Sequence, residues 1–302
     1  MEQTRDEHSP LDDAREAVDR VNAKAGRNLP AAIGVGLLLI AWVVLSLLYF
    51  IPGFVILVIV CIVFGTIELH RALLVHDRGT SAIVPVAIGG ALTAIGAYFA
   101  AGKSAEDAIL FVMSPIALTS VAALGWRLRG GPVNYVRDAS ASLLGIAYVT
   151  LMGAFLPLAA GEPHGNLRIA AMILCVVASD VGGYAAGVTL GKHKLAPVIS
   201  PKKTWEGLGG SVVLALVFAW LTVDLLLGGP LWAALVFGLV MVLVGTLGDL
   251  VESMIKRDLQ IKDMGTLLPG HGGILDRIDS LLIMAPVVWL LLAAFIPAGH
   301  GG

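Results

Sequence analysis

Nine apolar segments of roughly bilayer length restrict the folds that this chain can adopt. They lie at about 30–50, 52–69, 82–101, 107–125, 139–159, 168–189, 208–227, 230–248 and 279–297. A helix needs about 20 apolar residues to cross a hydrocarbon core of about 30 Å, and backbone in lipid must satisfy its own hydrogen bonds. The pattern predicts an all-α polytopic membrane protein with about nine transmembrane helices.

The basic residues divide unevenly between the two sides of these segments. Of the 20 Lys and Arg residues, 18 fall in the N-terminal tail and in every second loop, while Lys103 and Arg168 fall in the other loops. Lys and Arg concentrate in cytoplasmic loops of membrane proteins. We therefore predict a cytoplasmic N-terminus and a C-terminus outside.

Composition excludes an ordinary soluble domain, because 57% of the residues are hydrophobic and 14% are charged. The net charge of −2 gives no basic field for nucleic acid. Cys61 and Cys175 fall in apolar runs, which favours two buried thiols over a disulfide.

The chain divides into three predicted parts. Residues 1–29 form a polar cytoplasmic tail, flexible or lying on the surface, for which a regulatory role is left open. Residues 30–170 form the N-terminal transmembrane helices, about five spans. Residues 171–302 form the candidate catalytic transmembrane region, with cytoplasmic loops at 190–207 and 249–279.

Two polar groups stand out in the first half of the candidate catalytic region. Asp180 lies inside the sixth span, where a carboxylate is costly unless it has a partner or a task. The following loop carries basic residues suited to phosphates and two hydroxyls: Lys192, Lys194, Lys202, Lys203, Ser200 and Thr204. Ser200-Pro201 predicts the start of a helix. Taken alone, the loop could equally contact lipid headgroups.

Carboxylates recur at helical spacing around the last cytoplasmic loop. Asp249, Glu252, Ser253 and Lys256 share one helical face at the end of span eight, and Asp276, Asp279 and Ser280 repeat the spacing where span nine begins. Two carboxylate faces at one membrane depth suit a hard divalent cation. Gly272-Gly273 ahead of the last helix exposes N–H groups to an anion. Interfacial salt bridges such as Lys256–Asp249 and Arg277–Asp279 are the plainer interpretation, and we favour a metal ion together with phosphate.

A family resemblance rests on these residues. Residues 253–279, which read SMIKRDLQIKDMGTLLPGHGGILDRID, match the full signature of phosphatidate cytidylyltransferases. The segments GDLVES at 248–253 and SPKKTWEG at 200–207 are also similar to that family, and the resemblance covers roughly residues 179–280. The sixth span departs from the pattern, since Val181 and Gly183 stand where Thr and Ala are usual.

The resemblance implies that CTP and phosphatidic acid react to give CDP-diacylglycerol and pyrophosphate, with Mg²⁺ and room for a second cation such as K⁺. It also implies a multi-pass protein of the inner or plasma membrane, often a homodimer, with its active site facing the cytoplasm. Metal ligands are then expected at Asp249, Asp276, Asp279 and Glu252.

A mechanistic hypothesis built on this reaction gives roles to the other polar residues. Catalytic cations are expected at Lys202, Lys203, Lys256 and Arg257. Substrate contacts are expected at Ser200, Thr204, Asp180, Lys192, Lys262, His271, Gly272, Gly273, Arg277 and Ser253. We expect His271 to orient the Gly-Gly turn rather than to transfer a proton.

Two other functions are open to a chain of this kind. Another CTP-using lipid enzyme, such as a polyprenol kinase or an archaeol-type cytidylyltransferase, could share the site. A transporter would need charges deep in several spans, and here the charges collect at one face. Glu68, near the inner end of span two, is assigned no role.

Overall fold

The computed structural model describes residues 29–267 and 272–296, and this part of the chain is mostly helical. The helices are α1 (Leu29–Tyr49), α2 (Ile51–Val75), α3 (Ile83–Ala100), α4 (Ala105–Ala108), α5 (Ser114–Arg127), α6 (Tyr135–Gly145), α7 (Met152–Gly161), α8 (Gly165–Leu190), α9 (Trp205–Ala219), α10 (Leu231–Asp258) and α11 (Leu275–Phe295). Three π-helical segments continue them: Ile109–Met113, Ile146–Leu151 and Trp220–Leu226.

Eight helical stretches in the described residues are long and apolar enough to cross a membrane. They are Ile51–Val75, Ile83–Ala100, Glu106–Gly130, Tyr135–Gly161, Gly165–Leu190, Trp205–Leu226, Leu231–Asp258 and Leu275–Phe295. In α1 the corresponding apolar stretch, Ile33–Tyr49, is shorter. The predicted class, a polytopic helical membrane protein, is confirmed at this level.

The loop after α8 forms a small antiparallel hairpin of β1 (Lys194–Ala196) and β2 (Ser200–Thr204). The predicted helix start at Ser200-Pro201 is therefore wrong. Thr204 is the N-cap of α9, because its hydroxyl accepts a hydrogen bond from Gly207 N at 3.1 Å. A Thr cap satisfies one of the free N–H groups of the first turn, so the residues before it stay extended.

A contiguous core joins α2, α7, α10 and α11. Ile62, Met241 and Leu282 are almost fully buried within it. Near the loop end, a Cβ on Gly248 would lie 3.0 Å from the Cα of Ser280. The absence of a side chain there lets the end of α10 lie directly against the start of α11.

We call the end of the bundle that holds the hairpin, the end of α10 and the start of α11 the site end. The end of α2 belongs to it, since Glu68 contacts Leu275 N at 2.8 Å. The α2–α3 turn does too, because Arg78 pairs with Asp258 at 3.1 Å. The opposite end holds the start of α8 and the end of α11, joined by a bond from Arg168 to Ile296 O.

Candidate active site

Four carboxylates collect at the site end. Asp249 and Glu252 lie in the last turns of α10, and Asp276 and Asp279 lie in the first turns of α11. Tyr148, from the π segment before α7, is within electrostatic range of all four. The structure thus brings together the residues that helical spacing had grouped on two separate helices.

Lys256 connects two of these carboxylates. Its ammonium pairs with Glu252 one turn earlier on α10, and it donates to Asp276 Oδ1 at 3.2 Å. The side chains of Glu252 and Asp276 are each only 3% exposed. Buried carboxylates of this kind need a cation or several donors to remain stable. The plainer expectation of a Lys256–Asp249 salt bridge is not what the structure shows.

Asp276 also closes the loop that precedes α11. Its Oδ2 accepts hydrogen bonds from Met264 N and Gly273 N, both at 2.9 Å. Gly272, beside it, has φ +83°, a conformation that favours glycine. The Gly272-Gly273 turn is therefore folded around the Asp276 carboxylate. The two glycines and the aspartate form one structural unit.

Glu252 and Asp279 form a second pair of carboxyl groups. The two groups interact electrostatically. Glu252 Oε1 is buried and has no hydrogen-bond partner among the described residues, and the same holds for Tyr148 Oη. Two interacting buried carboxyl groups are stabilised when they share a proton or a cation.

These contacts test whether the site suits the Mg²⁺ that the resemblance implies. Four carboxylates face two lysines, Lys203 and Lys256, so the cluster carries excess negative charge. Oxygen donors, one of them without a partner, are what a hard divalent cation prefers. Within residues 29–267 and 272–296, no three His, Cys, Asp or Glu side chains are already grouped tightly enough to hold an ion. The carboxylate oxygens therefore suit Mg²⁺. For the ion to bind, Lys203 or Lys256 would have to move away from its carboxylate partner.

The hairpin brings a basic side chain to this cluster. Lys203 Nζ lies 2.6 Å from Asp249 Oδ2, and both side chains are partly exposed. The hairpin is anchored by Glu206, whose carboxylate accepts from Lys192 N and His193 N and contacts His193 Nδ1 at 2.6 Å. Anchoring at its base fixes the strand that carries Lys202 and Lys203.

A cavity of about 240 Å³ lies between α8, α9, α10 and the hairpin. Polar groups line its site end, namely Asp180, Lys202, Lys203, Asp249 and Ser280. The rest of the lining combines apolar residues, such as Val176, Leu208 and Met284, with hydroxyl residues, such as Ser179, Ser211 and Thr246. Asp180, predicted from its position in a span, is thus brought to the same space as Asp249.

A second cavity, of about 640 Å³, opens between the hairpin and the end of α10. It is lined by basic and hydroxyl groups, Ser200, Lys202, Ser253, Lys256, Arg257 and Lys262, with few apolar residues. Lys202 lines both cavities. One cavity therefore reaches between membrane helices, the other is basic and polar, and they adjoin beside the carboxylates.

Small residues make the helical wall of the first cavity. A Cβ on Gly182 of α8 would lie 2.3 Å from Gly210 O of α9, so only glycine allows this approach. The Ser211 hydroxyl donates to Ser179 O at 2.7 Å and ties the two helices. Behind Asp180, α8 and α9 are consequently in close backbone contact.

Four predicted substrate-binding residues are less closely tied to the cluster. Lys192 is exposed, and its backbone is engaged by Glu206. The Thr204 hydroxyl caps α9, although the residue lines the first cavity. Arg277 follows Asp276 on the first turn of α11, and His271 lies outside the described residues. Their roles in binding stay predictions.

Sequence reasoning missed two residues at this site. Glu68 is 5% exposed and accepts from Ile274 N at 3.0 Å and Leu275 N at 2.8 Å. Tyr148 places a buried hydroxyl near the carboxylates. Glu68 could have been found from the sequence as an acidic residue inside an apolar span, because ionisable residues there usually have a function. For Tyr148 the sequence offers no comparable signal.

Comparison with known proteins agrees with the geometry. Residues 30–295 match a family model described as the cytidylyltransferase family. A protein of Mycobacterium leprae named phosphatidate cytidylyltransferase is 40% identical over 302 residues, which covers 94% of this chain and 96% of the relative. A protein of the same name from Mycobacterium bovis is 38% identical, with 94% of each chain covered.

A shorter match is found in another bacterium. A Bacillus subtilis protein, again named phosphatidate cytidylyltransferase, is 49% identical over 126 residues, or 40% of this chain and 46% of the relative. The two mycobacterial matches therefore cover the N-terminal spans as well, where the motifs alone gave little support.

Proposed function

Because the chain belongs to the cytidylyltransferase family, we propose that it transfers the cytidylyl group of CTP to phosphatidic acid. The products are CDP-diacylglycerol and pyrophosphate. The observation that carries the proposal is the junction of two unlike cavities at Lys202, beside four carboxylates. A lipid phosphate and a nucleotide are the two kinds of substrate that such a pair of cavities suits.

Each cavity suits one substrate. The basic cavity of Lys202, Lys256, Arg257 and Lys262 supports binding of the CTP triphosphate, because ammonium and guanidinium groups pair strongly with phosphate oxygens. The cavity between α8, α9 and α10 lies among membrane helices and has both apolar residues and charged groups in its lining, which supports phosphatidic acid with its headgroup at Lys203. The two phosphates would then approach each other near Asp249.

In the reaction, a phosphate oxygen of phosphatidic acid attacks the α-phosphorus of CTP. A new P–O–P bond forms, the bond from the α-phosphorus to the oxygen bridging the β-phosphorus breaks, and pyrophosphate leaves. A phosphate monoester is already largely ionised at neutral pH, so no side chain has to act as a general base. The work of the protein is to position and neutralise two polyanions.

Asp249 and Asp279 would hold Mg²⁺ together with Asp276 and Glu252. Bound there, the cation would neutralise phosphate charge and orient the reacting groups. Lys203 would move from Asp249 to the lipid phosphate, since its side chain is partly exposed. Lys202 and Lys256, with Arg257, would stabilise the departing pyrophosphate. A second cation such as K⁺ is part of the same proposal.

Membrane placement follows the charge distribution. We propose nine spans, α1 included, with the N-terminus in the cytoplasm and the C-terminus outside, in an inner or plasma membrane. The site end would then face the cytoplasm, where CTP is found. A homodimer is proposed as the assembled form.

The test is the release of pyrophosphate by purified protein supplied with CTP, phosphatidic acid and Mg²⁺. Release should require the lipid, and a CDP-lipid should be extracted in equal amount. A lipid phosphate with CDP as the second product would instead indicate a kinase. Absence of any CDP-lipid with several phosphatidates would overturn the proposal.

A further inference from the structure

The N-terminus of α11 rests on a buried carboxylate from a distant part of the chain. Glu68, on α2, is separated from Leu275 by 207 residues, and its two oxygens accept the N–H groups of Ile274 and Leu275. The first N–H groups of a helix have no partner within the helix, and the positive end of the helix dipole stabilises an anion. The two hydrogen bonds thus compensate for burying Glu68.

The loop before α11 is shaped around the same carboxylate. A Cβ on Gly265 would lie 2.4 Å from Glu68 Oε1, and one on Gly273 would lie 2.6 Å from Glu68 Oε2. A side chain at either position would have to displace the Glu68 carboxylate, so the loop passes against the carboxylate as bare backbone.

Glu68 and Asp276 hold this loop from opposite sides. Met264 N and Gly273 N donate to Asp276, while the next two amides, Ile274 N and Leu275 N, donate to Glu68. Moving Glu68 would therefore shift the start of α11 and, with it, the direction of the Asp276 carboxylate.

We propose that Glu68 is a positioning residue that fixes where α11 begins and so aligns Asp276 and Asp279 for the cation and the nucleotide. This inference rests on the proposed function of the site. Glu68 acts through the helix and the glycine loop, and it is not assigned any contact with substrate. Outer contacts that orient ligating carboxylates commonly contribute about 10–100-fold to metal affinity or activity.

The other end of the same helix supplies a matched control. Arg168 is 4% exposed, and it donates to Ile296 O at 2.9 Å and to Pro163 O at 3.0 Å. It therefore holds the C-terminal end of α11 as Glu68 holds the N-terminal end. Since α11 has 21 residues, the two ends are about 30 Å apart at 1.5 Å per residue. Loosening the Arg168 end should leave the carboxylates in place.

The experiment compares Glu68→Gln, Arg168→Gln and the unaltered full-length protein, each purified in lipid nanodiscs. Hydrogen exchange of the amides at 272–276 is followed by mass spectrometry, without substrates. The Mg²⁺ concentration that gives half-maximal CDP-lipid formation is measured at saturating CTP. Glutamine keeps the shape of Glu68 but presents an NH₂ group to one of the two N–H donors.

We expect Glu68→Gln to speed exchange at 272–276 at least tenfold and to raise the half-maximal Mg²⁺ concentration about 10–100-fold. Arg168→Gln should lower the melting temperature. It should change the exchange rate at 272–276 and the half-maximal Mg²⁺ concentration less than twofold. Unchanged values in Glu68→Gln would overturn the proposal, and so would equal changes in Arg168→Gln, since these would indicate general loosening of α11.

Two safeguards keep the test decisive. If Glu68→Gln does not fold, Gly265→Ala replaces it, because the added methyl displaces the carboxylate without removing it, and the same outcomes apply. If the unaltered protein forms no CDP-lipid, the proposed function fails. The exchange comparison then still decides whether Glu68 fixes the start of α11.

Discussion

Lys203 Nζ lies 2.6 Å from Asp249 Oδ2, which joins strand β2 of the hairpin to the last turns of α10. The two residues are 46 positions apart in the chain. Their contact places a basic group of the hairpin in the first cavity, next to Lys202, which lines both cavities. Removing the Lys203 side chain should therefore weaken phosphate binding more than it destabilises the fold.

Lys203→Ala is expected to lower kcat/KM for phosphatidic acid by about 10²–10³-fold, the usual cost of losing a preorganised charge-stabilising group. The fold should survive, because Lys203 and Asp249 are both partly exposed. Steady-state kinetics in mixed micelles gives the measurement. Lys194→Ala is the control, since that lysine is exposed on β1 of the same hairpin. Equal losses in both variants would count against a specific role for Lys203.

Asp249→Asn and Asp276→Asn should each cut turnover steeply at limiting Mg²⁺, because each removes one of the negative charges proposed to hold the cation. Asp224→Asn, at the far end of the bundle from the carboxylate cluster, should behave like the unaltered protein. The measurement is the rate as a function of Mg²⁺ concentration. Near-normal turnover at limiting Mg²⁺ in both site variants would contradict the proposal that Asp249 and Asp276 hold the cation.

Gly182→Ala should destabilise the protein by about 1–3 kcal/mol, the typical cost of overpacking, because its Cβ would meet Gly210 O at 2.3 Å. Gly209→Ala offers a control on α9, since nothing lies within 4 Å of a Cβ there. Thermal unfolding in detergent compares the two. A Gly182→Ala protein with an unchanged melting temperature would show that α8 and α9 do not pack as described.

Asp138→Ala should be among the more damaging changes outside the carboxylate cluster. Asp138 is 3% exposed, pairs with Arg127 and accepts from Thr80 N at 2.8 Å. Breaking a buried ion pair by removing one partner costs about 3–5 kcal/mol. Asp258→Ala removes the exposed pair with Arg78 and should cost less than about 1 kcal/mol. Equal unfolding midpoints for the two variants would contradict the structural role assigned to Asp138.

The membrane spans and the carboxylate cluster could be predicted because both follow from local spacing. Apolar runs of bilayer length define the helices, and the i, i+3, i+4 spacing places Asp249 with Glu252 and Asp276 with Asp279. No tertiary information is needed for either step.

The contacts that complete the site could not be predicted, because they join distant parts of the chain. Nothing near Glu68 indicates that it meets Ile274, 206 residues later. The hairpin was predicted wrongly as a helix start, since Ser200-Pro201 resembles one locally. The pairing of β1 with β2 and the Thr204 cap, which decide the outcome, lie outside that dipeptide.

The most direct test of the central claim follows the two ends of the triphosphate separately. Purified protein is given phosphatidic acid, Mg²⁺ and CTP labelled at either the α- or the γ-phosphorus, and the lipid and aqueous phases are counted. We predict that the α-label moves into the lipid phase as CDP-diacylglycerol and that the γ-label leaves as pyrophosphate. Transfer of the γ-label to the lipid, or of neither label, would contradict the account.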